Sequence, residues 1–218
     1  MIEVNLSYLT SPHGYRDSCL WCLTRDGISV DGQPPETWGG EPSTVRRIWQ
    51  DYRQPLEYYA DAYGVPVELV IATAATETGG NPSAVRLEPR YVSDEKTPNK
   101  MSCGMMQTLL STAREVLENP IDRAFLLRPA GSIQAGTVYI RRQKSISGFD
   151  PVFVAAAYNS GGLYYQASPQ NRWRLRQYPI GTGEHCDRFA KWFNEIFGMF
   201  AMDSGAPEAS FHRILRSV

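Results

Sequence analysis

The sequence has no surplus charge of either sign, no long apolar run and few cysteines or histidines. Its 218 residues carry 22 Lys and Arg against 23 Asp and Glu, a formal net charge of −1. That balance argues against a dominant electrostatic mode of binding to nucleic acid or anionic membrane, although a local basic patch survives any average. Arg172, Arg174 and Arg176, alternating with Trp173 and Leu175, form such a patch and read best as solvated surface. Nowhere do about 18 apolar residues run together, the length a membrane-spanning helix needs. Residues 1–6 show no basic stretch followed by an apolar one, so no leader is expected there. Cys19 and Cys22 have the spacing of half a zinc site or a redox pair, but no second pair matches them and His13, His185 and His212 are scattered. Structural or free thiols are expected, with no metal and no cofactor. Internal repeats, low-complexity tracts and convincing strand-like alternation are also missing.

What is present points to a soluble globular protein built mostly of helices, at 42% hydrophobic and 21% charged residues. Residues 1–42 are the exception. Pro12, Gly14, Gly27, Gly32, Pro34, Pro35, Gly39, Gly40 and Pro42 defeat long helices, so this stretch is expected to be an irregular N-terminal arm. It either wraps the remainder through Tyr8, Tyr15, Trp21 and Trp38 or holds a partner, and packing is the favoured reading. A helical domain is expected over 43–202 and a short tail over 203–218.

Within 43–202 the 3.6-residue period is strong. From Ser43, Val45, Ile48, Trp49 and Tyr52 mark one face of a helix that Pro55 breaks or kinks, before Leu56, Tyr59 and Tyr63 carry the pattern to Gly64. Pro66 starts the next helix, with Val67, Val70, Ile71 and Ala74 on its stripe. The polar, proline-punctuated stretch 82–101 reads as a long loop. Further helices are expected over 104–117, 130–145 and 152–158, the last opened by the Asp150-Pro151 N-cap and N1 pair. A final helix, 184–200, buries Phe189, Trp192, Phe193, Ile196, Phe197 and Phe200.

One carboxylate interrupts this pattern. Glu77 follows Ala74 by three residues on the stripe, and an ionised acid there is costly unless it finds a partner or its pKa rises. A raised pKa is what a proton-donating glycosidase acid requires. By position alone, a Glu in the last turn before Gly79-Gly80 is more often a solvated helix end.

Three motifs in order alter that balance: Glu77-Thr78-x-x-Asn81-Pro82, Ser102-Cys103-Gly104-Met105-Met106-Gln107, and Ala155-Ala156-Ala157-Tyr158-Asn159-Ser160-Gly161. Together they resemble the lytic transglycosylase domain of the soluble lytic transglycosylase and goose-type lysozyme-like group, over roughly 56–197. The resemblance implies a lysozyme-like helical domain that cleaves the MurNAc-GlcNAc β-1,4 bond of peptidoglycan. It implies a single glutamate, Glu77, as acid and then base, with the muramic acid 6-hydroxyl closing a 1,6-anhydro ring. By the same resemblance Gly104, Met106 and Gln107 form part of the groove, Tyr158 hydrogen-bonds the catalytic acid with Asn159 nearby, and Glu184 belongs to a late segment that closes the groove. Departures are Thr78 for the usual Ser, Cys103 for a small residue, Arg188 for an aromatic, and a longer segment between Glu77 and Met106. That insertion could cap the cleft, read peptide stems through Arg86 and Arg90, or supply a second carboxylate from Glu88, Asp94 or Glu95 and make the enzyme a muramidase. A non-catalytic wall-binding module is the alternative outside enzymes. The partner implied is the glycan strand, in the periplasm or at the cell wall. With no leader seen, delivery would fall to phage or secretion-system machinery unless the chain is trimmed, and an inhibitor protein is a further partner class.

Overall fold

The computed structural model describes residues 3–202 and 205–216. The elements in chain order are α1 (Leu6–Leu9), β1 (Trp21–Thr24), β2 (Gly27–Val30), α2 (Ser43–Tyr63), α3 (Val67–Thr78), β3 (Val85–Leu87), β4 (Met101–Cys103), β5 (Thr108–Leu109), α4 (Leu110–Leu117), α5 (Arg123–Leu127), α6 (Pro129–Arg142), α7 (Lys144–Ser147), α8 (Pro151–Ser160), α9 (Glu184–Met202) and α10 (Phe211–Arg216). The architecture is mostly α. None of the described helices is long and apolar enough to cross a membrane.

At the centre lies α3, apolar nearly all round and buried from Val67 to Thr76, which is the pattern of a helix surrounded by others. It packs against α2 and α9 and touches α6 and α8. Its one buried acid before the last turn, Glu68, faces the C-terminal segment, where its two oxygens accept from the backbone N–H groups of Phe211 and His212 at 3.0 Å each. Those are orphan donors of α10, so α10 is tied to the core through its first turn.

Pro55 kinks α2, as its position in the sequence implies. Lacking an N–H, it leaves the carbonyl four residues back without a partner, and the two stretches of α2 meet in a kink at Tyr52, whose φ of −127° is non-helical. Left-handed glycines end α2, α3, α7 and α8 at Gly64, Gly79, Gly148 and Gly161. Asp150 accepts from the Phe153 N–H as the N-cap of α8.

Three expectations need correction. Residues 82–101 are not all loop, because β3 pairs antiparallel with β4, Val85 opposite Cys103, and β4 pairs with β5. Strands therefore exist where the sequence showed no alternation; β3 is exposed along its length, so main-chain pairing rather than a buried face holds it. The expected helix from Gly104 begins only at Leu110, since Gly104 and Gln107 have φ of 77° and 47°, outside the right-handed helical region. Finally, the arm contains a hairpin, Trp21 opposite Val30 through Thr24 opposite Gly27. Leu9, Trp21, Leu23 and Ile28 of this stretch share one apolar core with α2, α3, α8 and α9.

The basic run in the late loop is largely neutralised. Arg172 pairs with Asp187 at 2.7 Å and Arg174 with Asp17 at 3.4 Å, and Arg176 lies over the Tyr164 ring. Trp173 and Leu175 between them are fully buried.

Candidate active site

Where α3 ends, the turn 104–107 and the start of α9 converge. Thr78, in the residue after the candidate acid, ties the first two: its hydroxyl donates to the Met105 carbonyl at 2.8 Å and accepts from the Asn81 N–H at 3.0 Å. The last turn of α3 is thereby fixed against the turn that carries the second motif.

Glu77 sits in that last turn with its side chain 18% exposed. Burial pushes its pKa up from the ordinary 4.5 to about 7, against the opposing pull of Arg188 and Arg86. The charges acting on it are thus both cationic, with no neighbouring carboxylate among them. A carboxyl group in this state keeps its proton to near neutrality and can give it up to a bound molecule.

The 104–107 turn is built for close approach. A side chain at Gly104 would overlap the Leu126 carbonyl and the Ser132 side chain. The Met106 N–H donates to Ser132 Oγ at 3.0 Å and the Met106 carbonyl accepts from the Tyr158 hydroxyl at 2.8 Å. Gln107 spends its amide on the same turn: Nε2 donates to the carbonyls of Ala84 and Gly104, and Oε1 accepts from Ser102 Oγ. Gly104→Ala is expected to combine a strained φ with a backbone overlap and to destabilise the chain by about 3 kcal/mol. Thermal denaturation should show a Tm lower by roughly 5–10 °C; an unchanged Tm would mean the turn relaxes freely.

The structure brings Glu77, the 104–107 turn, Tyr158 and Asn159 into one neighbourhood, with different contacts from those expected. Tyr158 does not hydrogen-bond Glu77. Its hydroxyl donates to Met106 and accepts from Thr108 at 3.0 Å, because α8 presents the ring to the 104–107 turn. Gly104, Met106 and Tyr158 are buried, Met106 completely and against Gly136, so they pack beneath the turn rather than present a surface to a ligand. Glu184, first residue of α9, is exposed.

The neighbouring residue, His185, is the one that faces the acid. Only 3% exposed, it holds Nε2 3.8 Å from Glu77 Oε1. Its Nδ1 is 3.3 Å from Asn159 Nδ2, while Asn159 Oδ1 accepts from the Tyr178 N–H at 2.6 Å. Burial first, then Arg188, lower its pKa from 6.5 to about 3, so the ring is neutral. The signal was present in the sequence: His185 precedes Phe189, Phe193 and Phe197 at steps of four, on the buried stripe of α9.

Two of the insertion's three candidate carboxylates, Asp94 and Glu88, are engaged in ion pairs. Asp94 accepts from both ends of the Arg123 guanidinium, at 2.7 and 3.1 Å, and from the Tyr91 hydroxyl. Those hydrogen bonds hold its pKa below the ordinary value. Glu88 pairs with Arg86 at 2.8 Å, and Glu95 is exposed. Cys19, Cys22, Cys103 and Cys186 are free thiols, and burial pushes Cys19 up to about 12 and Cys103 to about 11, far from a reactive thiolate. Among the described residues no cluster of three or more His, Cys, Asp or Glu could hold a metal ion.

The family model described as Transglycosylase SLT domain matches residues 54–177, more than half of the chain and all three motifs. Among solved structures, the 70 kDa soluble lytic transglycosylase SLT70 from Escherichia coli is similar at 19% identity with a TM-score of 0.49, covering 73% of this chain and 25% of that one. The chain thus spans about a quarter of that protein. No curated protein matches in sequence.

Proposed function

The chain belongs to the transglycosylase SLT domain family, and from that premise we propose that it is a peptidoglycan lytic transglycosylase with Glu77 as both acid and base. The observation that carries this reading is the placement of Glu77, largely buried where α3 meets the 104–107 turn and the start of α9, with its pKa raised to about 7 and with Arg188 and Arg86 as the charges acting on it. In the proposed reaction Glu77 gives its proton to the glycosidic oxygen between MurNAc and GlcNAc. The C1–O bond breaks, GlcNAc leaves with a 4-hydroxyl, and positive charge develops at the MurNAc C1. The 6-hydroxyl of the same MurNAc then bonds to C1 and returns its proton to the Glu77 carboxylate. No water is consumed, and the acid is regenerated.

An intramolecular nucleophile is favoured over water for a physical reason. It arrives with the substrate at high effective concentration, whereas a hydrolase needs a second carboxylate to activate water or attack the sugar. Of the three candidates for that role, Glu88 and Asp94 are already paired with Arg86 and Arg123, and Glu95 is exposed to solvent. Under this reading the substrate is the glycan strand and the site of action is the cell wall.

Digestion of purified sacculi tests the reading. Mass spectrometry should find muropeptides lighter by one water than those of a hydrolase, ending in 1,6-anhydro-MurNAc. Reducing-end MurNAc would overturn the transglycosylase assignment in favour of a muramidase, and no soluble product at all would favour a binding module.

A further inference from the structure

We propose that His185 is the positioning residue for Glu77, with Asn159 holding the imidazole so that its Nε2–H is aimed at Glu77 Oε1. The inference rests on Glu77 being the acid. It concerns what orients that acid, a task the Tyr158 hydroxyl is not free to perform because Met106 and Thr108 occupy it.

One backbone N–H fixes which way the Asn159 amide points. The Tyr178 N–H can only donate, so the Asn159 atom 2.6 Å from it must be the amide oxygen. The other end of that amide, an NH2 group, therefore faces His185 Nδ1 at 3.3 Å. Two N–H groups cannot face each other at that distance, so Nδ1 is the bare nitrogen. A neutral imidazole with a bare Nδ1 carries its proton on Nε2, and Nε2 is the atom 3.8 Å from Glu77 Oε1.

This tautomer has a chemical consequence. With an N–H donor facing Oε1, the carboxyl proton is favoured on Oε2, leaving one oxygen as acceptor and the other as the acid presented to the cleft. Once that proton has been transferred, the same N–H stabilises the carboxylate left behind. At 3.8 Å the contact is longer than a hydrogen bond, and it tightens when substrate fills the cleft, as catalytic hydrogen bonds commonly do. Because the ring is uncharged, it positions Glu77 without stripping its proton as an imidazolium would. The other groups facing this pair are Arg188 from α9, Arg86 from β3 and Tyr158 and Asn159 from α8.

Two substitutions and one spectrum test the proposal. His185→Leu keeps an apolar side chain on the buried face of α9 but has no donor. It should lower kcat on soluble glycan strands by about 10- to 100-fold with KM within about 3-fold. Its alkaline limb of activity should move to higher pH, because a donor that favours the carboxylate has been removed. His185→Gln places an amide N–H near the position of Nε2 and should restore both kcat and the limb. Unchanged kcat and pH profile in His185→Leu would overturn the proposal, as would equal losses in Leu and Gln variants with an unmoved limb. Should the Leu variant fail to fold, 15N NMR of the unmodified protein decides: His185 should show a bare Nδ1 and a protonated Nε2 throughout about pH 4 to 8. The reverse tautomer, or a ring that titrates near pH 6, overturns it. A still-active Glu77→Gln would instead remove the reading of Glu77 as the acid, whereas a dead Glu77→Gln beside a normal His185→Leu would sink this inference alone.

Discussion

Glu77→Gln is expected to abolish release of muropeptides from sacculi while raising thermal stability above pH 7. Glutamine keeps the volume and an acceptor oxygen but has no proton to deliver, and loss of a general acid typically costs about 10²- to 10⁴-fold. The stability effect follows from the same burial. Glu77 has a folded pKa of about 7 against an ordinary 4.5, so between those values the folded state holds a proton that the unfolded chain has lost. Stability therefore falls as pH rises from about 4.5 to 7, and the penalty is fully present above it. At about 1.4 kcal/mol per pH unit this is on the order of 3 kcal/mol. Gln never ionises and escapes the penalty. The variant's Tm should match the parent's near pH 4 and exceed it by roughly 5–10 °C near pH 8. Glu68 is raised in the same way but is present in both proteins and cancels in the difference. Near-normal turnover would remove Glu77 as the acid, and a Tm difference that ignored pH would mean that its carboxyl group is not buried as described.

How much of this was legible depended on whether a residue's fate was local. The path of α3 and the exceptional place of Glu77 on it followed from apolar periodicity, because a helix surrounded on all sides announces itself in every turn. The 104–107 turn did not. Its apolar residues suited a helix, but Ser132 holds the Met106 N–H and Tyr158 its carbonyl, from 26 and 52 positions away. Partners that distant leave no local period. The β3 strand was hidden for a different reason, since Val85, Arg86 and Leu87 are all exposed and no alternation marks a strand held by main-chain bonds. At the start of α9 the motif drew attention to Glu184. The stripe formed by His185, Phe189, Phe193 and Phe197 puts His185 on the buried face, so the periodicity outweighed the motif. For Tyr158 the element was correct and the partner was not: sequence located the helix, but only packing decided which acceptor its hydroxyl reaches.

Trp21→Ala is expected to destabilise the protein by about 3–5 kcal/mol, although it lies 56 residues before Glu77 in a stretch that composition marks as an arm. Its ring, 2% exposed, meets Phe153 and Trp173 edge-on with centroids 5.4 and 5.5 Å away. The indole N–H also donates to Asp150 Oδ2 at 2.9 Å, beside His13 Nε2 at 2.8 Å. Asp150 is 1% exposed and caps α8 through the Phe153 N–H, so it depends on these donors to satisfy a buried carboxylate. Trp21→Phe separates the two contributions: it retains an aromatic ring and loses the donor, and should cost about 1–3 kcal/mol. A chain beginning at Glu41 loses both donors, the hairpin and its Ile28 N–H bond to Asn194 in α9, and is expected not to fold. The effect reaches the site, because α8 carries Asn159 and Asn159 holds His185. If the shortened chain instead folds with full activity, residues 1–40 serve delivery or a partner and Asp150 is satisfied without them. If it folds but is inactive, with α8 displaced, the arm acts on catalysis through the helix that Asp150 caps.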